Sequence, residues 1–224
     1  MNQPVTLLGA YSPSLIDGLV SRAIGLMQPD GRVLLGIAGS PGSGKTTLAK
    51  DVVAAINAQK ADAPAAYLPM DGFHLANGTL DALGTHARKG AIDTFDGWGF
   101  LATLQRLLAE RDHTVYAPAF DRAVDEPVAG AIPLSPTAQL VVVEGNYLLA
   151  DLEPWVRIRP LLAECWFVAT GEAERMRRLV DRHTRHGRTP AAALAWATDV
   201  DGANARMIEA TARHATLLVT PEVG

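Results

Sequence analysis

Within SPSLIDGLVSRAIGLM, from Ser12, apolar residues fall at 15, 16, 19, 20, 23, 24 and 27, a spacing that predicts an amphipathic helix. Ser12 and Pro13 suit its cap and first turn, and Pro29-Asp30-Gly31 supplies turn chemistry at its end. RVLLGIA, short, apolar and β-branched, predicts a buried strand, and KTTLAKDVVAAINAQ predicts the helix after it. AAYLPM ending at Met70, LVVVEG ending at Gly145, CWFVA (165–169) and ATLLV (215–219) predict four more strands. Helical patterns lie at 98–110, 154–163, 172–186 and 190–213. Strands alternating with helices predict an α/β fold whose parallel sheet is covered on both faces. Two stretches stand outside this rhythm: 76–95, rich in Gly, Asp, Thr, Arg and His, and proline-rich 117–136. Excursions of that length in a compact domain are usually functional or disordered.

Composition narrows the classes. A chain of 224 residues suits a single domain spanning 1–224, with or without a small lid. A hydrophobic share of 48% and a charged share of 20% are ordinary for a globular protein. With a net charge of −4 there is no global basic field to attract nucleic acid. One cysteine, Cys165, allows no internal disulfide and fits a reducing compartment. MNQPVTLLGA lacks the cationic start of a signal peptide, and no apolar run approaches the ~20 residues of a membrane helix. A cytoplasmic protein with neither nucleic-acid nor membrane partners is expected; the oligomeric state stays open, a homodimer included.

Gly39, four residues, Gly44, Lys45 and Thr46 match the phosphate-loop pattern in full, between a predicted strand and a predicted helix. Glycines let backbone N–H groups close around phosphate oxygens, and the helix N-terminus adds partial positive charge. The nucleotide-binding set is then Gly39, Ser40, Pro41, Gly42, Ser43, Gly44, Lys45, Thr46 and Thr47. Lys45 would reach the terminal phosphates of ATP and Thr46 would ligate Mg²⁺.

Asp71 and Glu144 each end a predicted strand. Ligands of open parallel sheets gather at such ends, so both carboxylates should face the phosphate loop. Asp-Gly and Glu-Gly are also common turn pairs; it is their joint occurrence beside a phosphate loop that favours chemistry. Phosphoryl transfer needs one carboxylate near Mg²⁺, the role that suits Glu144, and another to take the acceptor's proton, the role that suits Asp71.

GSPGSGKTT, MDGFHLAN, RKGAIDTFD, YAPAFDR, VVVEGNYLL and an arginine cluster occur in that order over roughly residues 33–219. In these motifs the chain resembles the P-loop kinases of the uridine kinase, pantothenate kinase and phosphoribulokinase family. It is most similar to a bacterial subgroup described as nucleoside/nucleotide kinase-like or fructose transport system kinases. The resemblance implies a P-loop NTPase fold with a five-stranded parallel sheet of order 2-3-1-4-5 and a small helical lid. It implies Asp71 as catalytic base and Glu144 as the magnesium-site carboxylate. Uridine kinases carry serine and tyrosine around the phenylalanine of the turn, where this chain has Gly72, Phe73 and His74. D-G-F and R-K-G (88–90) lean towards pantothenate kinase, whose aromatic-rich pocket motifs are absent. Nucleoside, pantothenate-like and sugar acceptors therefore all stay open.

Six of the sixteen arginines lie between Arg175 and Arg188. On a helix, Arg175, Arg178, Arg182 and Arg185 fall within roughly 80° of one another. A solvated face is expected for Arg175 and Arg185. The spacing of Arg178, Arg182 and Arg188 is similar to the family's lid (172–190 here), which implies that they close over nucleotide phosphates, with Arg182 catalytic alongside Asp71 and Lys45. Candidate acceptor contacts are Phe73, His74, Arg88, Asp121, Arg122, Asn146, Tyr147 and Asn204. Arg88 and Arg122 would either hold an anionic acceptor or pair with Asp93 and Asp125. His183, His186, Cys165 and the four tryptophans (Trp98, Trp155, Trp166, Trp196) read as structural. No N-K-x-D guanine motif and no L-S-G-G signature occur, which argues against a GTPase and a transport ATPase. An ATP-dependent phosphotransferase acting on a small-molecule hydroxyl is expected; the rival is a non-catalytic ATP-binding regulator of a sugar transport system.

Overall fold

The computed structural model describes residues 11–29, 31–185 and 187–221, so the readings of the N-terminal stretch, Asp30 and His186 lie outside the described residues. Strand β1 (Val33–Gly39) is buried along its whole length at the centre of a five-stranded sheet. It pairs in parallel with β5 (Leu140–Gly145) on one side and β6 (Glu164–Val168) on the other. β2 (Ala65–Pro69) adds beyond β5, and β7 (Leu217–Val219) beyond β6, also in parallel. Numbered along the chain the order is β2-β5-β1-β6-β7, not 2-3-1-4-5, because two unexpected strands precede β5. Set those aside, and the five run second, third, first, fourth, fifth.

The extra pair is an antiparallel hairpin, β3 (Val115–Asp121) and β4 (Glu126–Leu134), formed by the proline-rich excursion. Its prolines fit a two-stranded ribbon, where a missing N–H need not break an inner ladder, and Pro118 sits where the register shifts between Ala117 and Ala119.

Alternation along the strands feeds two cores. Leu34, Ala38, Val141 and Val143 face one, covered by α4 (Gly97–Ala109) through Phe100, Leu104 and Leu107. Leu35, Ile37, Leu140 and Val142 face the other, covered by α1 (Pro13–Leu26) and α2 (Lys45–Gln59) through Leu19, Val20, Leu48, Val52 and Ile56. Strands buried on both faces explain the unbroken apolar runs.

Two other expectations change. Residues 154–163 form two 3₁₀ turns, Trp155–Arg157 and Arg159–Leu161, rather than a helix; Pro160 has no N–H to continue one. The span 190–213 divides into α6 (Pro190–Trp196), a π-helical turn (Ala197–Asp201), α7 (Gly202–Ala210) and a 3₁₀ turn from Thr211. The excursion at 76–95 holds a short helix, α3 (Asn77–Leu83), and two 3₁₀ turns. The arginine-rich segment is α5 (Glu172–Arg185). No helix among the described residues is long and apolar enough to cross a membrane.

Candidate active site

At the C-terminal end of β1 the chain turns through positive φ at Gly42 (76°) and Gly44 (95°) and enters α2 at Lys45. A Cβ at Gly42 would stand 2.9 Å from the Arg175 carbonyl, so this turn excludes a side chain as well as requiring left-handed backbone. Pro41, Lys45 and Thr46 line a cavity of about 510 Å³. The first turn of α2 leaves N–H groups without helical partners there, and its dipole favours an anion. The rest of the loop divides. Ser40 donates to Glu209 at 3.3 Å, the Ser43 hydroxyl is buried without a hydrogen-bond partner among the described residues, and Thr47 is exposed outside the cavity wall.

Glu144 ends β5 beside the loop and is only 4% exposed. Its Oε2 accepts from Thr46 at 3.1 Å and from the Tyr67 phenol at 2.8 Å, while Lys45 Nζ lies 3.6 Å from Oε1. Burial pushes the Glu144 carboxyl up and Lys45 partly offsets it. Among the described residues no group of three His, Cys, Asp or Glu side chains is placed to hold a metal ion alone. Mg²⁺ is usually held by one or two carboxylates together with substrate phosphates, and the oxygen donors Thr46 and Glu144 suit that arrangement.

Asp71 lies in the 3₁₀ turn Met70–Phe73 that follows β2. Gly72 makes this turn fit: a Cβ there would come within 2.1 Å of the Pro118 carbonyl of the hairpin. Arg122, also from the hairpin's turn, donates to Asp71 Oδ2 at 3.4 Å. His74 Nδ1 lies 2.7 Å from the backbone oxygen of Asp71, which only accepts, so Nδ1 carries the proton. The imidazole packs against Phe95 and Phe120, tilted by 40° and 50° with centroids 4.0 and 4.8 Å away, and burial pushes its pKa down. Asp71, His74, Phe95, Phe120, Arg122 and Asn146 all line the cavity.

The opposite wall comes from α5 to α7. Arg182 lines the cavity; burial lowers its pKa, and Asp201, Asp71 and Glu144 act on it as neighbouring anions. Arg188 lies over the Trp196 ring, 4.0 Å from its centroid, and both line the cavity. Arg178 instead lies against the back of the loop: its Nη1 donates to the carbonyls of Gly42 and Ser43 at 3.5 and 3.3 Å, and its Nε to Glu174.

Several expected site residues sit elsewhere. Phe73 is buried against Phe100, and Tyr147 is buried with its hydroxyl donating to Gly90, so neither reaches the cavity. Arg88 is exposed and paired with Asp93, the bland alternative of the two. Asp121 is exposed and accepts from the Ala123 N–H outside the cavity. Asn204 does line it and donates to Gly90 at 3.4 Å. Arg175, expected in solvent, is 5% exposed and pairs with Glu209 at 2.9 Å; it packs inward beside Leu179. Arg185 is exposed and pairs with Asp181.

Other cavity residues were not among the expected acceptor contacts. Lys89 lies over the Phe120 ring and reaches Asp125 at 2.9 Å, taking the partner expected for Arg122. His183, read as structural, pairs with Asp201 at 2.7 Å in the cavity wall, and Trp196 is there too. The basic R-K-G run pointed towards Lys89, and the arginine-rich α5 towards His183. Tyr67 had no motif at all.

Known proteins share this architecture. A Schizosaccharomyces pombe protein named "Putative uridine kinase C227.14" is 38% identical over 146 residues, 63% of this chain and 62% of that protein, so the match spans less than two thirds of its length. "ATP-dependent kinase-like protein notR'" of Aspergillus versicolor is 40% identical over 133 residues, 56% of this chain and 77% of that one. The crystal structure of a "putative fructose transport system kinase" from Silicibacter sp. TM1040 superposes with a TM-score of 0.84 at 38% identity, covering 91% of this chain and 98% of that one. No family model matches the chain.

Proposed function

The chain belongs to the P-loop kinases of the uridine kinase, pantothenate kinase and phosphoribulokinase family, and from that premise we propose that it transfers the γ-phosphoryl group of ATP to a hydroxyl of a small molecule. The observation that carries this reading is the meeting of Lys45, Thr46 and buried Glu144 at the mouth of α2, with Asp71 on the wall of the same cavity. A volume of about 510 Å³ lies in the range of small-molecule sites.

In this reading Lys45 and the N–H groups at the start of α2 hold the phosphates. Bound Mg²⁺, held through Thr46 and Glu144 with the nucleotide, would neutralise phosphate charge. Asp71 orients the acceptor hydroxyl and takes its proton as the new P–O bond forms and the bond to the leaving ADP oxygen breaks. Arg182 faces the transferring charge, and α5 with the following turn acts as a lid that excludes water. Arg188 would leave Trp196 to join it. Arg178 supports this scheme by bracing the loop from behind rather than by touching phosphate. Asn146, Asn204 and His74 are the acceptor contacts, and Arg122 reaches an acceptor only by loosening its bond to Asp71.

A panel of nucleosides, pantothenate-like acids and sugars, each supplied with Mg²⁺ and ATP, tests the proposal through ADP release. At least one class should raise release well above the rate without acceptor. If none does while ATP still binds, the protein is a non-catalytic ATP-binding regulator.

A further inference from the structure

Tyr67 is the third residue of β2, two before Pro69, and Pro69 is the register partner of Glu144 on β5. Period-two alternation therefore sends Tyr67 and Glu144 to the same face of the sheet, the face on which α2 packs. There the phenol donates to Glu144 Oε2 at 2.8 Å, the oxygen that also accepts from Thr46. Two donors on one oxygen fix the plane of the carboxylate and leave Oε1 on the side of Lys45. The two donors come from different elements. Thr46 belongs to α2, whereas Tyr67 belongs to β2, the strand paired with the one that carries Glu144, and its ring lies under the Lys50 ammonium, 5.7 Å from its centroid.

We propose that Tyr67 is a positioning residue for the magnesium site: its hydroxyl holds the Glu144 carboxylate in the orientation that receives Mg²⁺ carried by the nucleotide. The inference rests on the phosphotransfer reading of the same site. Partners that orient a metal ligand typically govern metal affinity by 10–100-fold when removed. Tyr67→Phe deletes one oxygen and keeps the ring, so the packing against α2 and β5 remains while buried Glu144 loses that donor.

The test is calorimetric titration of ATP into the full chain, first in EDTA and then across a series of Mg²⁺ concentrations. In EDTA, wild type and Tyr67→Phe should bind ATP with affinities within about twofold, since Lys45 and the loop are untouched. The Mg²⁺ concentration giving half of the affinity gain should rise by about tenfold or more in the variant, the lower end of that range. A merely structural role would weaken binding in EDTA as well, or would leave the Mg²⁺ midpoint unmoved, and either result overturns the proposal. Should Tyr67→Phe not fold, Tyr67→Leu is read by the same comparison. Wild-type ATP binding that does not respond to Mg²⁺ would remove the phosphotransfer reading and this inference with it. Equal midpoints in a Mg²⁺-responsive pair would remove the role of Tyr67 alone.

Discussion

Burial governs His74. Its ring packs against two phenylalanines, so the charged imidazolium is disfavoured and the pKa falls below the ordinary ~6.5, with Asp71 offsetting only part of the shift. The unfolded chain keeps the ordinary value. As pH falls below ~6.5, the unfolded state takes up a proton that the folded state refuses, so the contribution is fully present above that pH and is lost as pH drops towards the folded value. Wild type should therefore lose more thermal stability between pH 7.5 and 5.5 than His74→Phe, which keeps an aromatic ring at that place. Equal losses in the two melting series would show that His74 is not the group responsible. The sequence made His74 a candidate through its place after the D-G-F turn, but the packing of its ring depends on Phe95 and Phe120, which the fold delivers from elsewhere. Cys165 shows the opposite limit: burial pushes its thiol up to about 12, in keeping with its packing role.

Helix α5 shows how far an element can be read from its pattern. Its amphipathic spacing was plain, yet which arginine goes inward depends on what packs against it. Arg175 is drawn under the phosphate loop by Glu209 of α7, and Arg182 is drawn towards the cavity anions. The two should therefore fail differently. Arg182→Ala should lower turnover by ~10²–10³-fold with little change in melting temperature, as loss of a transition-state donor does. Arg175→Ala should cost about 1–3 kcal/mol of stability through lost packing and a stranded partner, with turnover of the folded fraction largely kept. Steady-state kinetics beside thermal melts separates them, and an Arg182→Ala enzyme altered only in its Michaelis constant for ATP would reduce that arginine to a binding role. Gly72 belongs to the same scale. The D-G dipeptide announces a turn, but the reason for glycine is the hairpin carbonyl 2.1 Å from where a Cβ would stand. Gly72→Ala must move either the turn or the hairpin, so its stability should fall by about 1–3 kcal/mol, read as a lower melting temperature. An unchanged melt would mean that the hairpin yields freely. Nothing in 117–136 spelled out that hairpin, since its prolines argue against an inner strand and, among the described residues, its strands pair only with each other.

The cavity belongs to the molecule, because its lining residues run from Pro41 to Asn204. The loop, Lys45, Thr46 and Glu144 were legible because each follows a strand directly, and a strand end fixes where a side chain goes. Tyr67 and Asp201 were not, since strand register and a π-helical turn carry them there. This division yields a test of binding apart from chemistry. A ligand that binds only the folded state raises stability by RT ln(1 + [L]/Kd), about 2.7 kcal/mol at a hundredfold excess over Kd. MgATP should raise the melting temperature of wild type and of Asp71→Asn alike, because Asp71 touches none of the groups at the mouth of α2. It should not raise that of Lys45→Ala. Acceptor-dependent ADP release should then drop by at least ~10²-fold in Asp71→Asn, which keeps the shape of the side chain but cannot take the proton. Hydrolysis of ATP by water is measured separately in each protein, and should change far less, since the base acts on the acceptor hydroxyl. An Asp71→Asn enzyme that phosphorylates the acceptor at the wild-type rate would leave Asp71 as a turn residue held by Arg122. A thermal shift in Lys45→Ala equal to that of wild type would place the nucleotide somewhere other than the glycine loop.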